Sequence, residues 1–274
     1  MSRLVISSHK PDKEGNAVRV TPESAEWKYI GFEVYVLQKG QKLRKKTVNQ
    51  EACLVLLSGK ANAFTQYGQW KNIGERMSVF EKIPPYSVYV PSGDFFEVEA
   101  VTDLELAVCW APGKGTYSAR LIDPSEIEVE IRGAGNIERR VHHILPEQKQ
   151  ADSLLVVEVF TPEGNWSSYP PHKHDQDNLP HESYLEETYY HKINHEHGFA
   201  LQRVYTDDRS LDETIVIKNG DVVLVPKGYH PVAAPPGYEV YYLNVMAGPV
   251  RTWKFQNDPD HQWVMESKLA AKHS

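Results

Sequence analysis

The chain has 274 residues, enough for two ordinary domains or one large all-β unit. Hydrophobic residues make up 41% and charged residues 24%, the balance of a soluble globular protein with a sizeable core. Lys and Arg total 30 against 37 Asp and Glu, a net charge of -7 with no basic block, which argues against nucleic acid as a partner but not against a small anion beside a local arginine.

The opening, MSRLVISSHKPDKEG, has no apolar core and no cleavage signature, and no stretch approaches the roughly 20 apolar residues of a membrane span. A cytoplasmic protein without membrane association is expected. Strand signals then follow one another: EACLVLLSGKANAF, YSVYVPSGDFFEVEAV, DLELAVCWAP, SLLVVEVFTPEG, GFALQRVYT, DETIVIKNGDVVLVP and GYEVYYLNVMAG. Each is a short β-branched and aromatic run bounded by turn residues. Cys53 and Cys109 sit inside two of these runs and are expected as buried core thiols rather than a disulfide. Helical periodicity is best at the tail, HQWVMESKLAAKH, residues 261–273. Many short strands with regular turns predict an all-β sandwich or barrel.

The chain also repeats itself. Val90–Gly93 and Val225–Gly228 both read Val-Pro-x-Gly, each between a strand and two further strands, and Glu51 and Glu187 each open an apolar strand. An internal duplication predicts two β-domains of similar length, 1–135 and 136–274, joined near DPSEIEVEIRGAGNIERRVHHILPEQKQ.

Chemistry concentrates in the second copy. His172 and His174 flank Lys173, and on a strand residues i and i+2 share a face. Glu187 opens the next strand, and His230 follows GDVVLVPKGY. Three imidazoles and a carboxylate from three strands suit Zn, Mn, Fe or Ni with positions left open. A second His-x-His pair, His195 and His197, lies ahead of a glycine and is expected in a solvated turn.

These residues carry a resemblance. Gly164, His172, His174 and Glu187, followed by Gly220-DVVLV-Pro226-Lys-Gly228-Tyr-His230 and Asn244, resemble the two signature motifs of the cupin superfamily. The gap from His174 to Glu187 is longer than usual, so Glu186 and Glu187 both stand as the ligand glutamate, with Glu187 favoured because it directly precedes TYYHKI. SSYPPHKHD, LEETYYHKIN, FALQRVYTDDRSLDE, VLVPKGYHPVAAPPGYEVYYLNVMAGP, RGAGN and NDPDHQW are similar to the 5-deoxy-glucuronate isomerase family of bacterial inositol catabolism. That resemblance implies a bicupin, two tandem double-stranded β-helix barrels. It also implies one divalent metal, zinc first, and an aldose–ketose isomerisation of a uronate-type sugar acid. A homo-oligomer is left open. The N-terminal copy is expected to hold no metal: RKKTVNQ replaces the histidine pair, Phe95 replaces His230, and only Glu51 remains.

Isomerisation through an enediol needs charge stabilisation and a proton shuttle. Alternation places Tyr189 and His191 on the face of Glu187, and both are candidates for proton transfer, although His191 also reads as a hydrogen-bonded interior histidine. Arg203 is the candidate for the substrate carboxylate, against the reading of a solvated strand arginine. Tyr242 and Asn244 share a face of the last barrel strand, with Tyr242 taken as a substrate contact. Two other classes stay open: an iron-dependent cupin dioxygenase and a non-catalytic sugar-binding cupin.

Overall fold

The computed structural model describes residues 2–265. Of the tail helix read at 261–273, residues 261–265 are described, a turn at 261–262 and helix at 263–265; the rest of that reading lies outside the described residues. The runs rich in Val, Ile and Tyr form antiparallel strands that close into two barrels. In the first, a six-stranded sheet, in the order Arg120–Ile122, Ser87–Val90, Gln50–Ser58, Leu104–Pro112, Gly31–Leu37, Asn16–Val20, faces a four-stranded sheet built on Phe95–Ala100. In the second, a seven-stranded sheet centred on Glu186–Ile193, Val240–Ala247 and Leu155–Thr161 faces a four-stranded sheet built on Phe199–Tyr205.

Each barrel has its own apolar interior, Leu54, Leu56, Leu106 and Val108 in the first, Val157, Val159, Tyr189 and Tyr242 in the second. A third core lies between the two large sheets and takes alternate side chains from both, among them Val34, Val55, Ala111, Phe160, Tyr190, Tyr241 and Ala247. Strands buried on both faces read as continuous apolar runs, which explains why EACLVLLS and VYYLNVMA show no polar alternation. Cys53 and Cys109 are opposite one another in this layer as buried, unlinked thiols.

The domain boundary read at 135 needs correction. Glu128–Arg132 pairs with Arg139–Leu145 and so belongs to the second barrel, as does Val5–Ile6, which crosses over to pair with Val222–Val225. The join therefore falls before residue 128. Register decides this, and a strand's sheet partner is not written in its own residues.

Candidate metal centre and active site

Strand Glu186–Ile193 is the spine of the site. Alternation sends Glu187, Tyr189 and His191 into the second barrel. It sends Tyr190 and Lys192 outward to the first half, where both bond Glu105, at 2.6 and 2.8 Å. His172 is fixed where His172–Lys173 pairs with Gln256–Asn257. His230 follows a turn that Gly228 makes at φ +86°, with the Tyr205 carbonyl oxygen 2.3 Å from where a Cβ would stand. Only glycine fits there.

The imidazoles are oriented by the backbone. His174 Nδ1 donates to the Leu185 carbonyl at 3.1 Å, and His230 Nδ1 to the Gly228 carbonyl at 2.8 Å. Carbonyls only accept, so Nδ1 carries the proton and Nε2 faces inward. His174 Nε2 lies 2.9 Å and His230 Nε2 3.2 Å from the same Glu187 oxygen. The ligand nitrogens of His172, His174 and His230 all fall within 4.8 Å of one another. Burial, with the other two imidazoles, drives His172 well below its ordinary range. Burial would raise Glu187, but His174 and His230 outweigh it and hold the carboxyl at about 2. His174 is also buried, yet the Glu187 bond and charge raise it. The set offers inward nitrogen lone pairs and an ionised carboxylate, the donors that suit a borderline divalent metal. The buried His230 Nε2 has that Glu187 oxygen as its polar neighbour and makes no further hydrogen bond among the described residues, which fits the same reading.

Glu186 is committed elsewhere. Its carboxylate accepts the backbone N–H groups of Lys28, Tyr29 and Ile30 at 2.8, 2.8 and 3.1 Å. Glu51 does the same in the opposite direction, accepting Asp152, Ser153 and Leu154 N–H at 2.7, 2.6 and 2.6 Å. Register agrees: Ala52 pairs with Val90 and Trp110, as Glu187 pairs with Val225 and Met246. The sequence pairing of Glu51 with Glu187 is therefore one residue out. Glu51 matches Glu186, Ala52 matches Glu187, and the first barrel keeps none of the four candidate ligands.

Beside the histidines lies a cavity of about 20 Å³ whose wall includes Arg139, Ser168, Glu187, Tyr189, Tyr242 and Asn244. An outer chamber of about 220 Å³ shares Arg132, Val157 and Trp253 with it. Ser168 Oγ joins the Tyr189 and Tyr242 hydroxyls at 3.1 and 3.3 Å. Burial raises both phenols, Tyr189 well above its ordinary value, so they keep their protons. Asn244 Nδ2 and Trp253 Nε1 are buried without a partner. Orphaned donors on a cavity wall are rare in native proteins and point to a polar ligand.

Two sequence expectations fail. Arg203 points out of the barrel, about 39% exposed at its side chain, and is paired with Asp212 at 2.8 and 2.7 Å. Gln202 is the inward residue of that strand. His191 is inside, but one layer below the cavity, stacked on Tyr189 at 5.9 Å with Nε2 on Gln202 at 3.1 Å. It does not line the cavity, so it is not placed to touch a substrate. His195 and His197 lie in an exposed turn, away from the cluster. Sequence reasoning missed Arg132, Arg139, Ser168 and Trp253. Arg132 lies in RGAGN, a string that carries the resemblance, and Arg139 in the segment that joins the two copies, and neither arginine carries a signal of its own.

The chain is 80% identical over 272 residues, 99% of each chain, to the protein of Geobacillus thermodenitrificans named 5-deoxy-glucuronate isomerase. The crystal structure of an IolB-like protein from Salmonella typhimurium superposes with a TM-score of 0.93 at 52% identity, over 95% of this chain and 98% of that one. Oxalate decarboxylase from Lactobacillus farciminis shares the two-barrel fold at 13% identity and TM-score 0.66, covering 100% of this chain and 94% of that one. The profile of the KduI/IolB family matches residues 4–264, and the chain belongs to that family.

Proposed function

We propose that this chain is an isomerase interconverting 5-deoxy-D-glucuronate and 5-dehydro-2-deoxy-D-gluconate in myo-inositol catabolism. Family membership supports the reaction class. One observation carries the site: three inward imidazoles and Glu187 converge beside a cavity whose wall presents unpartnered donors. His172, His174, Glu187 and His230 would hold one divalent metal, zinc first, with manganese, iron or nickel compatible with the same donors. When bound, it supplies Lewis-acid stabilisation of the enediolate charge.

The chain's own residues supply the rest. Tyr189 Oη holds a proton at the cavity wall and, through Ser168 Oγ and Tyr242 Oη, belongs to a hydroxyl chain able to pass it between neighbouring substrate atoms. Asn244 Nδ2 offers a donor to a substrate hydroxyl. Trp253 and Phe255, whose ring stands 4.7 Å from His172, cover the mouth and keep water out of the reaction. No helix among the described residues is long and apolar enough to cross a membrane, and a cytoplasmic site of action accords with that reading.

Proton NMR of the aldehyde with metal-loaded protein in D₂O tests the function. The expected result is loss of the aldehyde resonance and deuterium beside the new carbonyl. No turnover with zinc, manganese, iron(II) or nickel overturns the isomerase reading. Oxygen consumption dependent on iron(II) would select the dioxygenase.

A further inference from the structure

Arg139 stands out when set beside two other inward arginines. Arg76 forks onto Glu158 through two bonds, at 2.8 and 2.9 Å. Arg251 is wrapped by the carbonyls of Leu145, Pro146, Glu147, Lys149 and Leu154. Arg139 is also buried, 9% exposed, yet its hydrogen bonds among the described residues both leave from Nη1, to the Ile137 and Tyr169 carbonyls at 3.0 and 3.3 Å. Its Nε and Nη2 make none there, and no carboxylate is in ion-pair contact. Burial holds its pKa below the ordinary guanidinium value, and the nearby Tyr242, Glu130 and Tyr189 oppose that only in part.

A second observation is independent of the first. Arg139 is directly opposite Arg132 across the ladder between Glu128–Arg132 and Arg139–Leu145. Like charges facing one another on a sheet are unfavourable. Glu130 neutralises Arg132 through bonds of 3.0 and 2.7 Å, whereas among the described residues no carboxylate bonds Arg139. Both arginines line the cavity that also holds His172 and Glu187. A buried cation that lacks its anion and borders a ligand cavity is a site awaiting an anion.

We propose that Arg139 binds the carboxylate of the substrate, an open-chain sugar acid whose reacting end lies at the histidine cluster. The identity of the acid rests on the isomerase reading; the anion site rests on the geometry alone. Nε and Nη2 provide one edge of the guanidinium fork, the edge that grips a carboxylate bidentately. With its reacting end at the histidine cluster and its carboxylate on Arg139, the enzyme selects acids over neutral sugars and sets which carbons face the metal ligands.

The test compares 5-deoxy-D-glucuronate with its neutral counterpart, 5-deoxy-D-glucose, on metal-loaded wild type, Arg139→Met and Arg139→Lys. Metal content and melting temperature are measured on each. Wild type is expected to prefer the acid, and Arg139→Met to lose about 10²- to 10³-fold in kcat/KM for the acid while holding the neutral sugar within about threefold. Arg139→Lys, which keeps charge but not the fork, should lie between and serves as the folded variant where Met is not tolerated. An unchanged preference for the acid in both variants overturns the proposal. Equal losses on both substrates overturn it too, because they mark a packing role. Should wild type turn over neither sugar, the isomerase reading fails and a binding measurement decides Arg139 separately. D-gluconate is then expected to raise the melting temperature of wild type more than D-glucitol does, and Arg139→Met to erase the difference. Equal shifts in wild type would overturn the anion site.

Discussion

Matching the two barrels by register sets Ala52, Leu54 and Leu56 against Glu187, Tyr189 and His191, and Leu106 and Val108 against Tyr242 and Asn244. One interior is aliphatic where the other is polar. At the mouth the contrast reverses. Glu33 occupies the position of Val157, but it is matched by Arg19 at 3.0 Å, Lys45 at 3.1 Å and Trp110 Nε1 at 3.0 Å. In the first barrel this mouth carboxylate is satisfied by its neighbours. In the second, Asn244 Nδ2 and Trp253 Nε1 are donors left over, and the hydrogen bonds of Arg139 leave from Nη1 alone. The same strand frame thus serves stability when its polar groups pair with one another, and binding when they do not.

The largest expected effect removes the chemistry of one half and leaves the other untouched. His172→Ala should lose most of the bound metal and at least about 10³-fold in turnover, while His195→Ala keeps both. Elemental analysis and kinetics on protein purified without chelator check this. If His195→Ala empties the site, the ligand set is misassigned.

The seam between the halves ranks next. Arg76 reaches from the first half to Glu158 in the second, where His142 Nδ1 and Tyr241 Oη also meet the carboxylate at 2.7 and 3.0 Å. Arg76→Met strands a buried carboxylate and should cost about 3–5 kcal/mol in denaturant unfolding. A loss under 1 kcal/mol would show that the network is dispensable.

The two glutamate clamps come third, and they distinguish Glu186 from Glu187. Glu51→Gln and Glu186→Gln each leave backbone N–H groups poorly satisfied and should cost roughly 2–3 kcal/mol with metal content intact. Glu187→Gln should do the opposite, losing metal at a smaller cost in stability. Loss of metal from Glu186→Gln would reverse the assignment.

How much of this was legible in the sequence depends on the range over which each feature is written. The histidine cluster was legible because a local motif sets it, two histidines at i and i+2 and a third after Val-Pro-x-Gly. The two-barrel fold was legible because turn residues punctuate every strand. The counterpart of Glu51 was not, since Glu51 can be matched to Glu186 or Glu187 until Val90 and Val225 fix the register. Arg203 was misread because alternation gives two faces without saying which is inside; Gln202 took the inner one. Arg139 was hidden because its meaning lies in what is missing around it, and an absent carboxylate is a property of the folded neighbourhood alone.

His191 gives the finest separation of the halves, because its counterpart Leu56 cannot titrate. Burial lowers His191 to about 4, with the Gln202 bond opposing only in part. Its value in the unfolded chain is near 6.5. Between those values the unfolded state binds the extra proton, so stability falls as pH drops from about 6.5 and the loss is complete near 4. At pH 5 the difference amounts to about 2 kcal/mol, and above pH 7 it vanishes. Other groups of the second barrel also titrate in acid, so the informative quantity is the difference between wild type and His191→Leu, which installs the first barrel's solution. The variant should lack up to one proton's worth of slope, about 1.4 kcal/mol per pH unit, whatever constant offset it carries from leaving Gln202 unpaired. Urea unfolding at intervals from pH 4.5 to 7.5 measures it. Parallel curves would mean that His191 protonates in place, and that the polar interior tolerates charge one layer below the histidine cluster.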